Sequence, residues 1–501
     1  MKSKKITSHT SLVTLILLLA FLSSCNKDFL ERNPLDQVTE ETFYKTAEDA
    51  QRAIKGTYSA LAGVDWHGKC WMIQEIPSDN TTVGGNDPDF SPIDNFTLAA
   101  DNGPVLEYWR EHFRLITLSN QIIERVPAID MNEETRASIV AEAKFLRAYA
   151  YFDLVRIYGG VPLITTVPDI TTNLLMPRSS VDEVYQLIEE DLLVATSELV
   201  TAYSGSDVGR ATRGTAKALL AKVYLTIGKY DEAMDLCRQV IASGQYRLME
   251  DYGDLWLKET SDNNAEAVFQ VQYVGCAGVG IGNACQAFFA PWGQGITKNS
   301  DGWGSQVPTS PTVDNPGTTI RDALVDPDLR RYETYMKSND EYPSINAEDG
   351  GYEYPSEGAS RTLINIKKYV IGGGPDVCFM STPQNYNAIR YADVLLTLAE
   401  ASCRRNGGIS ITPDVLEAFN SVRTRAGLSV LQNITTEQVM EERRKEFAFE
   451  NQRWFDLLRM DNIREVMQLH GKQMQDFHKL FPIPQSEIDI NPELEQNPGY
   501  N

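Results

Sequence analysis

The sequence of 501 residues predicts a mostly α-helical protein, in which helical hairpins form a scaffold beside a large, loop-rich and partly irregular portion. Three observations predict this fold class. Apolar residues recur at three- and four-residue spacing in several long segments, which is typical of amphipathic helices. Helix-stopping glycines and prolines follow many of these segments. Between residues 251 and 387 this periodicity gives way to glycine, proline, aromatic and Asn/Asp residues.

The segment 213–244 predicts two helices joined by a turn. Leu220 and Tyr224 lie on one face of the first helix, which Gly228 ends because glycine tolerates the left-handed conformation. Ala233 follows Tyr224 after nine residues, and this spacing fits the tetratricopeptide (TPR) repeat. A single such hairpin cannot bury its apolar face, so we expect further hairpins to stack on it.

Residues 1–24 have the pattern of a targeting segment, with three lysines before an apolar run at 12–22 that is too short to span a bilayer. The sequence Leu-Ser-Ser-Cys ending at Cys25 resembles the bacterial lipobox, in which the cysteine thiol receives a diacylglycerol group. Lipid on Cys25 would anchor the protein to a membrane without spanning it. The alternative is an ordinary secretory signal with an incidental cysteine. Residues 25–37 are polar and predict a tether.

Residues 38–250 predict an N-terminal TPR-like helical region that is interrupted by a loop at 64–104. Thr46 with Asp49 has the pattern of a capping box, in which the two side chains satisfy the free N–H groups that begin a helix. The loop is rich in glycine, aspartate, asparagine and proline, yet it also carries large aromatic residues. Loops of this length inside a compact domain usually have a function.

Residues 251–387 predict a loop-rich region, with a strand at 267–274 and a short hairpin around 363–370. Residues 388–501 predict C-terminal helices and a proline-punctuated tail that pack with the N-terminal helices. The last long helix is expected to run from a cap at Thr435 to about residue 460.

The net charge of −23 argues against nucleic acid as a partner, because phosphates would be repelled over most of the surface. Motifs for metal-dependent, serine or phosphate chemistry are absent from the sequence, so no enzyme, no metal centre and no cofactor is predicted. The charged run 441–446 is better explained by ion pairs that fix a helix to its neighbours. A structural calcium ion held by loop oxygens is left open, although EF-hand spacing is absent.

Several blocks of sequence together resemble one family. They are CNKDFLERNP after the lipobox, EAKFLRAYAYFDLVRIYGGVPLI (142–164), RATRGTAKALLAKVYLTIGKYDEA (210–233), NYNAIRYADVLLTLAEA (385–401), ERRKEFAFENQRWFDLLRM (442–460) and FPIPQSEIDINPELEQNPGY (481–500). In this order they resemble the SusD/RagB family of nutrient-binding outer-membrane lipoproteins of Bacteroidota, over essentially the whole mature chain.

The resemblance implies a scaffold of TPR-like helix pairs with a loop-rich portion against it. It implies a lipid-anchored protein, exposed on the cell surface, that acts as the lid of a TonB-dependent transporter of the SusC type. It also implies binding of an oligosaccharide, or in some members a peptide, without bond-making chemistry. A peptide- or protein-binding TPR-type surface lipoprotein stays open as the alternative.

The resemblance directs the search for a ligand site to the two loop regions. Sugar sites combine aromatic faces with a few placed polar groups. The candidates are Trp66, His67, Trp71, Asp79 and Asn80 in the first loop, and Tyr273, Trp292, Trp303 and Tyr342 in the second. For each tryptophan the alternative is packing against the helices, and for Asp79 and Asn80 it is a turn closed by their side chains.

Cys276 and Cys285 lie nine residues apart in a glycine-rich loop. Outside the cytoplasm such a pair can be oxidised, so the sequence offers them as a candidate disulfide that would close this loop.

Overall fold

The computed structural model describes residues 43–63, 72–167, 175–276, 282–293, 295–299, 301–310, 317–355 and 364–500. The predicted targeting segment, Cys25 and the tether lie outside the described residues, and so do Trp66, His67 and Trp71.

The α-helices of the described chain are, in order, α1 Ala47–Ser59, α2 Met72–Glu75, α3 Ser91–Asp94, α4 Gly103–Arg125, α5 Glu133–Tyr158, α6 Val181–Glu198, α7 Arg213–Thr226, α8 Tyr230–Ala242, α9 Cys285–Phe289, α10 Ile320–Ala323, α11 Arg331–Thr334, α12 Tyr391–Arg405, α13 Pro413–Arg425, α14 Thr436–Glu446, α15 Arg453–Leu458, α16 Ile463–Leu469 and α17 Gln485–Ile490. Short 3₁₀ turns occur at Ala60–Ala62, Val126–Ala128, Gly205–Asp207, Tyr252–Leu255, Ala347–Asp349 and Asp476–Lys479.

The strands are short and pair in antiparallel twos. They are β1 Thr81–Val83 with β3 Gln306–Pro308, β2 Ala267–Val271 with β8 Tyr386–Arg390, β4 Tyr335–Lys337 with β7 Ile364–Ile366, β5 Glu341–Tyr342 with β6 Tyr352–Glu353, and β9 Ile409–Ser410 with β10 Ile434–Thr435. The structure therefore contains much helix and only small β-ribbons, which confirms the predicted fold class.

The predicted hairpin is formed by α7 and α8, which pack against each other. Leu220 and Ala233 are fully buried, and Gly228 takes a positive φ of 79° in the turn between the two helices. Glycine suits this turn because other residues are strained in that conformation. The TPR-like packing predicted from the spacing is therefore present.

The hairpins stack in chain order. Helix α4 packs on α5, α5 on α6, α6 on α7 and α7 on α8, and then α8 packs on α12 after the loop-rich region. Helix α12 in turn contacts α13 and α14. The chain thus leaves the helical stack after α8, forms the loop-rich portion, and rejoins the stack at α12.

Several helix starts follow their sequence signals. Thr46 and Asp49 form the predicted capping box of α1, in which Thr46 accepts from the Asp49 N–H at 3.2 Å. Ser180 with Glu183 caps α6 in the same way, and Thr435 with Gln438 caps α14. These local patterns form without help from distant residues, which is why the sequence predicts them well.

The last long helix is shorter than predicted. Helix α14 ends at Glu446, and the chain is irregular until α15 begins at Arg453. The buried side-chain carboxyl group of Glu75, from the first loop, accepts the N–H groups of Phe449 at 3.2 Å and Asn451 at 3.0 Å. Those N–H groups are then unavailable for helical hydrogen bonds, so a distant residue breaks the helix.

The loop-rich region also differs in detail from the prediction. The strand expected at 267–274 is present as β2, but it ends at Val271 and pairs with β8. The hairpin expected around 363–370 is wrong, because β7 in that segment pairs with β4, about thirty residues earlier in the chain. Pairing over such a distance leaves no local turn signal to read.

Ion pairs hold the charged run of α14 in place, as the sequence predicted. The side chains of Arg390, Glu446 and Glu266 are almost fully buried, and Arg390 donates to Glu446 at 2.8 Å and to Glu266 at 2.6 Å. Arg330, also buried, donates to Glu446 at 3.1 Å, and Arg425 pairs with the same carboxylate. This buried network joins α14 to the loop-rich region.

The predicted disulfide is wrong. Cys276 is bonded to Cys378, with their Cα atoms 5.1 Å apart, and Cys285, at the start of α9, is buried and takes no part in a disulfide. The backbone next to Cys276 explains this pairing, because a Cβ on Gly275 would lie only 1.8 Å from the carbonyl oxygen of Asp376. The two chain segments are in close contact there, and the nearest thiol to Cys276 is therefore the distant one.

Candidate ligand-binding surface

The middle of the first loop, at β1 and Gly84, packs against the backbone that follows Trp303. Strand β1 pairs with β3, with Thr82 opposite Val307. A Cβ on Gly84 would lie 1.8 Å from the carbonyl oxygen of Gly304, the residue after Trp303. The two loop regions in which the sequence predicts ligand contacts are therefore joined at this point.

Asp79 and Asn80 are buried and bind arginines. Arg453 donates to Asp79 at 2.6 Å, and Arg444 lies 2.9 Å from the other oxygen of the same carboxylate. Arg444 also donates to the side-chain oxygen of Asn80 at 2.9 Å. Burial alone would raise the pKa of Asp79, but Arg444 and Arg453 outweigh it and hold that pKa well below its usual value. These side chains tie the first loop to α14 and α15, and neither predicted role, ligand contact or self-closed turn, matches that position.

Tyr273 and Tyr342 are also inaccessible. Tyr342 is 1% exposed, and its ring stacks on Tyr332 with centroids 4.7 Å apart while its hydroxyl lies 3.1 Å from Asp340. Tyr273 is 8% exposed, and burial raises its pKa well above the usual value. Both rings belong to the core, so their predicted role as ligand contacts is not supported by where they lie.

Trp303, Trp292 and Phe379 form what we name the ring surface. Trp303 is half-buried, and its ring lies edge-on between Phe288 and Phe379, at centroid distances of 5.1 Å and 5.9 Å. Among large hydrophobic side chains within the described ranges, Trp292 and Phe379 are the two exposed aromatic ones, at 47% and 42%. Aromatic faces left open to solvent are characteristic of binding sites.

The backbone brings Trp292 and Trp303 together. The N–H of Trp303 donates to the carbonyl of Ala287 at 2.7 Å, and that of Gly304 donates to Ala290 at 2.9 Å. A Cβ on Gly302 would lie 3.5 Å from the carbonyl oxygen of Pro291, which precedes Trp292. The segment that carries Trp303 and leads into β3 thus lies along α9 and the residues that precede Trp292.

Phe379 stands at the tip of a braced turn. Cys378 and Ser381 exchange backbone hydrogen bonds of 2.9 Å and 3.0 Å, which leaves Phe379 and Met380 at the tip. The disulfide to Cys276 holds one side of this turn. The carboxylate of Asp301 accepts the N–H of Met380 at 2.8 Å and holds the tip itself. An exposed ring on such a rigid support is ready for a ligand at little entropic cost.

The sequence prediction included Trp292 and Trp303 but missed Phe379 and Asp301. Phe379 is next to a cysteine in a region without periodicity, and its neighbour Cys378 was the one available signal. Its importance depends on a disulfide and on contacts with residues that lie 76 and more positions earlier, none of which leaves a local pattern.

Two cavities lie away from the ring surface. One of about 490 Å³, mostly apolar, is lined by residues of α8, α12 and α13, among them Leu395 and Leu398. Another of about 300 Å³ lies beside Arg210 and Tyr203. The predicted ligand residues line neither of these two cavities.

Within the part of the chain that the structure describes, no helix is both long enough and apolar enough to cross a bilayer. Groups of three or more His, Cys, Asp or Glu side chains arranged for a metal ion are also absent from the described residues.

Comparisons with known proteins agree with the fold. A family model described as the SusD family matches residues 260–500, and a model described as starch-binding, associating with the outer membrane, matches residues 28–225. SusD-like protein P2 of Formosa agariphila is 30% identical to this chain, over 97% of this chain and 99% of its own length.

Two solved structures have the same fold. A laminarin-binding SusD-like protein is 26% identical with a TM-score of 0.77, and the alignment covers 91% of this chain and all of that one. Surface glycan-binding protein A of Bacteroides fluxus gives the same identity, TM-score and coverage. SusD-family proteins associate with the outer membrane, bind carbohydrates and are not catalysts. The chain therefore belongs to the SusD family and, as predicted, is not an enzyme.

Proposed function

We propose that this protein captures an oligosaccharide on the ring surface, Trp292, Trp303 and Phe379, and delivers it to a TonB-dependent transporter of the SusC type. It would do so at the cell surface, held to the outer membrane by lipid on Cys25. Trp66, His67 and Trp71 remain proposed contacts from the first loop.

This proposal rests on exposed aromatic rings whose backbone is held in place by a disulfide and by hydrogen bonds. Sugar rings present flat faces of C–H bonds, and aromatic side chains stack on such faces while excluding water. Trp292 and Phe379 expose large apolar area that their own fold leaves uncovered. The disulfide and the Asp301 contact fix Phe379, so little conformational entropy is lost when a ligand binds.

The relatives support an oligosaccharide over other nutrients. Two of the solved structures at 26% identity are named as a laminarin-binding protein and a surface glycan-binding protein. The acidic composition also fits a ligand without phosphate groups.

Affinity electrophoresis against a panel of polysaccharides tests the ligand class. We expect retardation by at least one polysaccharide, and we expect Phe379→Ala to weaken it while the thermal unfolding temperature is unchanged. Ile411→Ala is the matched control, because Ile411 is 71% exposed and lies between β9 and α13, on the helical scaffold. Retardation by none, together with binding of peptide mixtures, would replace the glycan with a peptide ligand.

The anchor and the partner need a separate experiment in cells. Wild-type protein is expected to incorporate labelled fatty acid and to co-purify with a TonB-dependent barrel from detergent-solubilised outer membranes. Cys25→Ala should lose the label and leave the membrane fraction. Label retained in Cys25→Ala would contradict the anchor, and purification of wild-type protein without any barrel would contradict the partner.

A further inference from the structure

The chain that follows β2 presents one of its sides to solvent. Val271 and Tyr273 are buried, whereas Gln272 and Val274 are exposed, Val274 at 70%. Side chains of an extended chain alternate between its two sides, so Gln272 and Val274 point outward together. We name the surface of these two residues the β2 path.

The β2 path leads to the ring surface through the disulfide. Cys276, two residues after Val274, is bonded to Cys378, and Phe379 is the next residue. The Cα atoms of Val274 and Phe379 are therefore less than about 17 Å apart, because consecutive Cα atoms are about 3.8 Å apart. The exposed valine and the exposed ring of Phe379 thus lie close to each other, on the two chain segments that the disulfide joins.

At its other end the β2 path borders a second cavity. This cavity has a volume of about 280 Å³ and lies between the C-terminal half of α1, the loop that precedes α7, and β2. We name it the β2 crevice. The residues that line it include Lys55, Tyr58, Val208, Gln270 and Gln272. The path and the crevice are continuous, because Gln272 belongs to both.

Tyr58 gives the β2 crevice an aromatic ring in a fixed position. Its hydroxyl accepts the N–H of Ala211 at 2.9 Å, and its ring is half-buried. Lys55, whose side chain is 49% exposed, lies 2.9 Å from Asp207, and Arg210 lies 3.2 Å from the same carboxylate. A fixed ring beside paired ions suits the apolar face and the hydroxyl groups of a neutral sugar.

We propose that the β2 crevice is a second sugar-binding site, and that the ligand is an oligosaccharide long enough to bind both the crevice and the ring surface. This inference rests on the proposed function. The surface from Gln272 to Phe379 spans roughly 20 Å, which is four residues of extended chain and one disulfide. A short sugar on the ring surface cannot cover that distance, whereas a longer chain crosses Val274 and reaches the crevice.

Binding at two joined sites has a measurable consequence. Once one end of a glycan is bound to the ring surface, its other end is held near the β2 crevice at a high effective concentration. The second contact then adds affinity without a second loss of translational freedom. Affinity should therefore depend on the length of the oligosaccharide.

Isothermal titration of the purified protein with oligosaccharides of two lengths tests this inference. The probes are the trisaccharide and the hexasaccharide of the laminari-, cello-, malto- and xylo-oligosaccharide series. In at least one series we expect the hexasaccharide to bind at least about tenfold more tightly than the trisaccharide.

Two variants interrupt the longer site at different points. Val274→Glu places a charge in the β2 path, where a bound glycan would remove it from water at a cost. Val208→Trp fills the β2 crevice from the loop before α7, at a position that is 38% exposed. We expect each variant to lower the ratio of hexasaccharide to trisaccharide affinity toward one. Val430→Glu is the matched control, because Val430 is 54% exposed and lies between α13 and β10, and it should leave the ratio unchanged.

The outcomes are distinct. Equal affinity for the two lengths in every series that binds overturns the inference and leaves the proposed function standing, as does an unchanged ratio in either variant. Failure of the wild-type protein to bind any probe overturns the proposed function and this inference with it. If Val208→Trp does not fold, as judged by circular dichroism, the comparison of the two lengths and the exposed Val274→Glu variant still decide.

Discussion

Exposure separates Trp292 and Phe379 from the other rings around them. Trp303 is half-buried between two phenylalanines, and Tyr342 and Tyr273 are part of the core. The type of a residue determines whether it can bind a sugar, but only an exposed side chain can contact one. At this scale the sequence proposes candidates and the fold selects among them.

Trp292→Ala is expected to weaken glycan binding by about tenfold to a hundredfold, the usual cost of removing a central aromatic contact. The thermal unfolding temperature should stay within a degree or so of the wild-type value, because an exposed side chain contributes little to stability. Titration calorimetry and differential scanning fluorimetry measure the two quantities. A fall in stability with unchanged affinity would show that Trp292 is a packing residue.

Asp79→Asn is expected to lower the free energy of unfolding by about 3–5 kcal/mol, because it leaves Arg444 and Arg453 buried without their shared carboxylate. A urea titration followed by tryptophan fluorescence measures the change. Asp476→Asn is the control, since Asp476 pairs with Arg464 and Lys479 on the surface and should cost about 1 kcal/mol or less. Equal effects in the two variants would contradict a structural role for Asp79.

At the scale of elements, the break between α14 and α15 is determined by contacts with the first loop. Glu75 captures two backbone N–H groups of the break, and Asp79 then pairs with an arginine on each side of it, Arg444 and Arg453. The bend lets both arginines reach the same carboxylate. The first loop therefore determines the course of the C-terminal helices, although it lies more than 350 residues away in the chain.

The disulfide gives a prediction at this scale. Non-reducing peptide mapping of the purified protein should recover the peptides of Cys276 and Cys378 joined, with Cys285 outside any disulfide and labelled only after unfolding. The bridge spans 102 residues of sequence. Replacing both cysteines with serine should therefore cost about 2–5 kcal/mol and weaken glycan binding by loosening the Phe379 turn. Recovery of a peptide joining Cys276 and Cys285 would contradict the structure.

At the scale of the whole molecule, buried ion pairs join parts of the chain that are far apart in sequence. Asp79 comes from the first loop, Glu266 precedes β2, and Glu446 ends α14, and each pairs with buried arginines. Such pairs contribute modestly to net stability, but losing one partner leaves an uncompensated charge. The network therefore makes these regions fold together.

We expect the protein to unfold at acidic pH, because several buried carboxyl groups are ionised in the folded state. Burial alone would raise the pKa values of Asp79, Asp393 and Glu446, but nearby arginines and Lys222 hold them well below their usual values. A carboxyl group whose pKa is lower in the folded state adds stability above its unfolded pKa and loses it as pH falls. Unfolding by circular dichroism should therefore show a loss of stability as pH falls below about 4. Stability that stays constant down to pH 2 would contradict this account.

The sequence by itself determined what depends on neighbours along the chain. The helical periodicity, the capping boxes of α1, α6 and α14, the TPR-like spacing of α7 and α8, and the blocks shared with the SusD family could all be read from it. The helix signals depend on interactions between residues only a few positions apart, so they leave patterns in the sequence. The family blocks are long stretches of sequence and can be recognised as such.

Only the tertiary structure decided what depends on distant contacts. It buried Asp79 and Tyr342, ended α14 at Glu446, paired Cys276 with Cys378, and left Phe379 exposed beside Asp301. Each outcome requires two segments to meet across more than fifty residues, or a side chain to be covered by another part of the fold. No local sequence pattern encodes these long-range contacts, because they follow from the packing of the whole chain.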